Sequence, residues 1–291
     1  LDWLLRARHG GDAAYAAALQ PMLDAIRTGL LDHAGLRPHQ SIADIGCGTG
    51  FAGFGALDRE PTSRLTFVDI EPALLEHVRG EAQLRGVADA CRFVVAPAGA
   101  LDALASASLD VVLVRAVLAY AADKPAAIAE FRRILRPGGR ISIVDPIFHD
   151  RAVAIAGMAH YVQSAAAGEV GRRVELLHRL SAAQFPDSLE AIQADPLTNY
   201  TERDLLHWLV AAGFVNVHLR LHIDAVPALP MPWSAFLRSS PHAGVPAVGD
   251  ILQARLRPDE RVEFERFFRS GIESGTAVER NVNAYLYADV P

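Results

Sequence analysis

Short apolar runs alternate with longer amphipathic stretches along this chain, and that alternation predicts its architecture. Strands are expected at 42–45, 65–69, 91–96, 109–114, 140–145, 214–223 and 282–287. Ile42, Ala43 and Ile45 read as a short buried strand. Between the strands, apolar residues recur at helical spacing. Glu71-Pro72 opens a helix with Leu74, Leu75, Val78 and Ala82 on one face. A helix from about Asp123 puts Ile128, Phe131 and Leu135 on one face and stops at Leu135-Arg136-Pro137-Gly138-Gly139. Thr201-Glu202-Arg203-Asp204 is a helix start, with the Thr hydroxyl on free amides and an acid in the first turn. Leu205, Trp208 and Leu209 follow, and Gly213 is the expected stop.

Three stretches break the alternation. Residues 2–34 are helical on either side of His9-Gly10-Gly11-Asp12, where Asp12 can cap the second helix. The first apolar cluster is Trp3, Leu4 and Leu5; the second is Tyr15, Leu19, Leu23, Ile26 and Leu30. Residues 147–200 interrupt the order after the fifth strand, with helices expected at 152–167 and 172–183. The link 224–281 is far longer than a hairpin needs. It starts with Pro227, Pro230 and Pro232, then reads as helices at 233–237, 248–256 and 258–274, with Phe264, Phe268 and Ile272 on a buried face. No internal repeat or low-complexity tract interrupts the pattern.

Length and composition narrow the class. With 291 residues, 51% of them hydrophobic, the chain can bury a full core. A single elaborated domain, 1–291, is expected: an extension at 1–36, a core at 37–146, a cap at 147–200, and a second sheet half at 201–291. A net charge of −6 argues against nucleic acid as partner. Two cysteines, Cys47 and Cys91, make no disulfide framework and fit a reducing cytoplasm. Lys124 is the sole lysine, and with the many alanines it suggests a GC-rich bacterial gene. No signal peptide and no run long enough to span a bilayer is visible, so no membrane partner is expected. The sequence begins at Leu1, which leaves open a missing N-terminal stretch.

Chemistry is expected at Asp44-Ile45-Gly46-Cys47-Gly48-Thr49-Gly50. The glycines let the chain turn sharply and let a ligand approach the backbone. Gly48 to Gly53 matches the dinucleotide pattern G-x-G-x-x-G, with Asp69 at the right distance to hold a ribose. Tyr120 and Lys124 match the spacing of a short-chain dehydrogenase pair. That pair needs one helix face, however, and Pro125 disfavours helical geometry at Lys124. The fuller string Asp44-x-Gly46-x-Gly48-x-Gly50 resembles the first motif of the class I S-adenosylmethionine-dependent methyltransferases. Leu-Arg-Pro-Gly-Gly before the fifth strand is a more specific resemblance to the same family. The resemblance is close over about 40–146 and loose over 200–223 and 280–288.

The family implies an α/β fold: a Rossmann-like, seven-stranded, mostly parallel sheet with an antiparallel last strand, a helical N-terminal extension and helical cap insertions. It implies S-adenosylmethionine as cofactor, held by Asp44, Gly46, Gly48 and Gly50. Asp69 takes the ribose hydroxyls, since a carboxylate accepts from both. The carbonyl at Arg115 takes the cofactor amine. Tyr15 reaches the cofactor carboxylate or is simply a packed helix residue. Many members carry an adenine-binding Asp after the third strand. This chain has Ala96-Pro97-Ala98-Gly99-Ala100-Leu101 instead, which leaves Ala98 and Gly99 backbone and the side chains of Ile70 and Leu101 for adenine.

A cytoplasmic methyltransferase follows, acting on an O, N or C atom of a small-molecule acceptor in specialised metabolism. The rival is a cofactor-binding fold that transfers no methyl and serves as a cyclase or ligand-binding protein. The 147–200 segment reads as a substrate cap or as an arm that forms a homodimer. His149, His160 and Tyr161 are the candidate catalytic residues, in that order, with His178 behind them. His218 and His222 lie about 13 Å apart in a strand, so no metal site is expected.

Overall fold

The computed structural model of the chain describes residues 2–165 and 168–291. The elements in order are α1 (Asp2–Leu5), α2 (Ala13–Ala34), β1 (Ser41–Ile45), α3 (Phe51–Arg59), β2 (Arg64–Asp69), α4 (Pro72–Leu84), β3 (Cys91–Val95) and β4 (Leu109–Arg115). Then come α5 (Lys124–Ile134), β5 (Leu135–Pro146), α6 (His149–Ala165), α7 (Gly168–Ser181), α8 (Leu189–Ala194) and α9 (Glu202–Ala211). The chain closes with β6 (Val215–Pro227), α10 (Trp233–Arg238), α11 (Val248–Arg255), α12 (Pro258–Ser274) and β7 (Val278–Asp289).

The seven strands form one sheet in the order β3-β2-β1-β4-β5-β7-β6. Pairings among β1 to β5 are parallel, and β7 is antiparallel to both neighbours. Period-two alternation sends strand side chains to two cores. Ile42, Leu65, Phe67, Val111 and Leu113 pack under α2, α3 and α4. Ala43, Ile45, Val112, Val114, Ile141 and Ile143 pack under α5 and α9. Ser142 Oγ donates to the Leu30 carbonyl at 2.7 Å and ties α2 to β5. The N-terminal extension is therefore part of the sheet's helical layer as well as a cover.

Caps set the helix starts. Asp12, Glu71 and Asp123 each accept a backbone N–H at their helix N-terminus, and Thr201 with Asp204 forms a capping box. Lys124 begins α5, with Pro125 in its first turn. The Leu-Arg-Pro-Gly-Gly segment does more than stop α5. Leu135 already pairs with Leu109, and a register shift follows before Arg140 pairs with Val111.

Other differences from the sequence reading lie in the insertions. β6 and β7 extend until Pro227 faces Val278, so the link between them shrinks to 228–277. This two-stranded ribbon satisfies its own backbone, which lets Ile223 and Val226 stay exposed. A short helix, α8, capped by Ser188, falls where the sequence suggested none. The expected helix end at 167 lies outside the described residues.

The insertions join in a third core. Leu176 and Leu180 of α7 pack with Trp233, Val248, Ile251, Leu252, Leu256 and Phe264. Among the described residues, no helix is long and apolar enough to cross a membrane.

Candidate active site at the strand ends

The strand order reverses between β1 and β4, and open α/β sheets bind ligands at that crevice. The loop after β1 turns through three left-handed glycines, Gly46, Gly48 and Gly50. Their reasons differ. A Cβ on Gly46 would sit 2.3 Å from Val117 Cγ2, so this glycine is required by the loop after β4. A Cβ on Gly48 would reach Leu4 Cδ1 at 3.3 Å, so α1 lies against the glycine loop.

Two acids brace this loop. Asp44 is buried, and its Oδ2 accepts the Gly53 N–H at 2.8 Å. The sequence reading placed Asp44 against the cofactor. In the structure Oδ2 is taken by the first turn of α3 and the residue is 2% exposed, so its evident task is to brace the loop. Asp69 Oδ2 accepts the Gly48 N–H at 2.9 Å, and Oδ1 accepts the Glu71 N–H at 3.0 Å. An ionised carboxylate has about four acceptor sites, so about two remain for hydroxyl donors.

Beyond Asp69, Ile70 is 68% exposed, an apolar face beside the strand end. The turn after β3 closes with the Ala100 N–H on the Pro97 carbonyl and leaves Ala98 half-buried and Gly99 exposed. Leu101 corrects the sequence reading. It is fully buried in the core, and its N–H donates to Glu130 Oε2, so it cannot contact adenine.

After β4 the backbone reverses at Ala116, which holds a left-handed φ of 52°. Buried Asp145, at the end of β5, fixes the next turn by accepting the Ala119 N–H at 3.1 Å. Its other oxygen, Oδ1, is buried without a partner. The Arg115 guanidinium lies over the Phe51 ring, 4.9 Å from its centroid.

Burial raises the Asp44 carboxyl to about 7 and the Asp145 carboxyl to about 8, from a usual 3.8. The folded chain therefore keeps protons that the unfolded chain releases above pH 3.8. The contribution of these two groups to stability is expected to be full below that pH and to be lost as pH rises through 7 to 8. Asp145→Asn, tested by denaturant unfolding at several pH values, should flatten part of this decline. An unaltered slope would show that Asp145 ionises freely in the fold.

The extension covers the site from outside. The Ser240 N–H donates to the Ala7 carbonyl, Trp3 Nε1 to the Ser240 carbonyl, and Arg238 Nε to the Gly10 carbonyl. Tyr15 is half-buried on α2. Burial raises its hydroxyl pKa, with Glu279 and Arg8 as charged neighbours.

The catalytic candidates separate. His149 begins α6 beside the end of β5, and its Nδ1 is 2.9 Å from the Thr198 carbonyl. A carbonyl only accepts, so Nδ1 carries the hydrogen and Nε2 of the neutral ring is left as acceptor. His160 and Tyr161 lie about 16 Å further along α6, and both are exposed, Tyr161 at 41%. The structure does not bring them to His149, as helical rise requires. His178 pairs with Asp187 at 3.0 Å. Among the described residues, no group of three or more His, Cys, Asp or Glu could hold a metal.

Several neighbours of the site escaped the sequence reading: Arg8, Tyr120, Asp145 and Tyr200. Asp145 carried a signal, since it ends a strand as Asp69 does. Tyr200 donates to the Pro146 carbonyl at 3.0 Å, with Lys124 Nζ over its ring at 4.5 Å.

A family model described as "Methyltransferase domain" matches residues 43–143. A ubiquinone/menaquinone biosynthesis C-methyltransferase from Paracoccus denitrificans is 34% identical over 119 residues, 41% of this chain and 47% of its own length. Nocamycin O-methyltransferase from Saccharothrix syringae is 34% identical over 119 residues, 40% of this chain and 42% of its own. The chain thus spans less than half the length of these curated relatives. The [4+2]-cyclase SpnF shares the fold, with a TM-score of 0.53, 15% identity, and coverage of 92% of this chain and 81% of that one.

Proposed function

We infer, from a chain whose residues 43–143 form a class I S-adenosylmethionine-dependent methyltransferase domain, that it methylates an O, N or C atom of a small molecule. The observation that carries this reading is the braced glycine loop with Asp69 at its side. Asp69 retains acceptor capacity for a ribose, and exposed Ile70 offers an apolar face for adenine. With no acid at 96–101, the backbone around Ala98 and Gly99 takes the adenine amino group. The Arg115 carbonyl and Tyr15 serve the amino-acid end. Bound there, S-adenosylmethionine supplies a methyl carbon made electrophilic by its sulfonium.

The remaining work is positioning and exclusion of water. α1 and the helices of the insertions close over the strand ends and enclose the acceptor. His149, whose Nε2 is left free as an acceptor by the Nδ1 bond to Thr198, is the proposed base for an acceptor whose nucleophile carries a proton. The C- and O-methyltransferase relatives support a small acceptor, and the nocamycin enzyme favours specialised metabolism. A cytoplasmic bacterial setting fits the composition.

Incubation with methyl-labelled S-adenosylmethionine and a panel of phenols, amines and activated methylenes tests the reading. Label should enter a product, and His149→Ala should lower the rate. Tight binding of S-adenosylhomocysteine with no labelled product would favour the non-transferring rival.

A further inference from the structure

β6 is the outermost strand of the sheet and runs for 13 residues. An edge strand offers a row of unpaired N–H and C=O groups, and folds commonly blunt it with a bulge, a proline or a covering element. Here the bulge lies between Val215 and His218 and the proline is Pro227, at the two ends of the strand. Between them the edge is regular. Among the described residues β6 packs against β7 and α9, and no strand pairs with its outer side.

The register decides which backbone groups face outward. The Ala228 N–H donates to the Ala277 carbonyl at 2.7 Å, in the same register that pairs His222 with Asn283. Successive residues of an antiparallel strand aim their backbone groups to alternate sides. Even-numbered residues of β6 therefore bond to β7. The odd-numbered ones, Val217, Leu219, Leu221, Ile223 and Ala225, aim N–H and C=O outward. The other side of β7 gives the same phase, because the Ile147 N–H donates to the Val282 carbonyl at 3.0 Å. Pro227 is also odd-numbered, so its missing N–H takes no bond from β7.

The side chains of this edge complement their own reversed order. Arg220, His222 and Asp224 share one face, and Leu219, Leu221 and Ile223 share the other. Leu219 and Leu221 border the sheet's core, while Ile223 is 58% exposed. Arg220 is exposed and forms no ion pair among the described residues. Asp224 lies 3.1 Å from His222 Nε2, and its side chain is 41% exposed.

The geometry points to a second copy of this chain paired antiparallel with the β6 edge, across a two-fold axis at His222. Leu221 then faces the partner's Ile223 in a hydrogen-bonded pair. Arg220 faces the partner's Asp224 in a non-hydrogen-bonded pair, where side chains stand closer. Symmetry repeats both contacts. An axis at Arg220 would set the two arginines opposite each other, and one at Leu221 would set Arg220 against the partner's His222. An axis at Ile223 would set Arg220 against the partner's Val226. Such an interface uses the same patch on both copies and closes at two. β5 and β7 separate it from the crevice beside β4, so it stands apart from the reaction.

Sedimentation velocity of the full chain from about 1 to about 100 μM tests this interface. The unaltered chain should be a dimer at the upper end. Arg220→Asp and Asp224→Arg should each weaken self-association at least tenfold, because each sets like charges opposite one another twice. An equimolar mixture of these two variants should dimerise again, since their edges are then complementary. Ile223→Lys should give a monomer. Hydrogen exchange needs no variant: the amides of Leu219, Leu221, Ile223 and Ala225 should exchange at least tenfold more slowly at the upper concentration. A monomer throughout overturns the assignment. So does a dimer that leaves these amides unprotected or survives all three substitutions, since it then forms elsewhere on the chain. Two folded charge variants that stay monomeric when mixed overturn the axis at His222.

Discussion

Asp69→Ala is expected to weaken S-adenosylhomocysteine binding by about 1.5–3 kcal/mol, roughly ten- to a hundredfold or more. The carboxylate has two tasks. It holds the Gly48 and Glu71 amides at 2.9 and 3.0 Å, and its remaining lone pairs are those proposed to accept from the ribose hydroxyls. Alanine leaves two amides unpaired and removes the acceptor together. Asp69→Asn separates the tasks, because its amide oxygen can still accept from one backbone N–H while losing charge-assisted bonds to a ligand. Calorimetric titration of each variant measures the effect, with thermal unfolding as the check on folding. Unchanged affinity in a folded Asp69→Ala protein would remove Asp69 from the ribose site.

Glu260→Ala is expected to lower the free energy of unfolding by about 1–3 kcal/mol, since the arginines it leaves behind are partly solvated. Glu260 is buried where α12 meets α7. Its Oε1 lies 3.2 Å from Arg172, 2.9 Å from Arg179 and 3.2 Å from Arg257, and its Oε2 accepts the Arg257 N–H at 2.8 Å. Alanine would remove the buried acid these three arginines share at the seam between the two insertions, leaving them only Glu175, Glu263 and Asp259 nearer the surface. The backbone bond and the arginines hold the Glu260 carboxyl down to about 2, below its usual 4.5. Its contribution is therefore complete above pH 4.5 and lost as the pH falls toward 2. Denaturant unfolding at neutral pH and at pH 3 should show Glu260→Ala less stable and less acid-sensitive than the native chain. A loss below about 1 kcal/mol would mean that the apolar packing around Phe264 and Trp233 holds the insertions together without this ion cluster.

Much of the sheet was legible because its signals are local. Runs of apolar residues mark buried strands, and Asp12, Asp123 and Thr201 mark helix starts through bonds that span three residues. The glycine loop and Asp69 were legible for the same reason: a tight turn and a strand-end acid leave a trace within about twenty residues.

The rest was decided by contacts between distant parts of the chain. Leu101 looked like a pocket residue until the turn after β3 folded it into the core. Asp44 looked like a ligand group, yet its partner is Gly53. His160 and Tyr161 were ranked after His149 as candidates on the same inserted helix, and the helix carries them about 16 Å from it. Arg8 had no visible role, because its place depends on bonds from Arg238 and Ser240, more than two hundred residues later.

By itself the sequence determined the order of the seven strands, the strand-end glycine loop, and the places where the alternation of strand and helix is interrupted. Periodicity, capping and turn chemistry act over a few residues and do not wait for the fold. The tertiary structure alone decided which charges meet and which are buried. Both depend on how separate segments pack, and packing removes water from groups that are far apart along the chain.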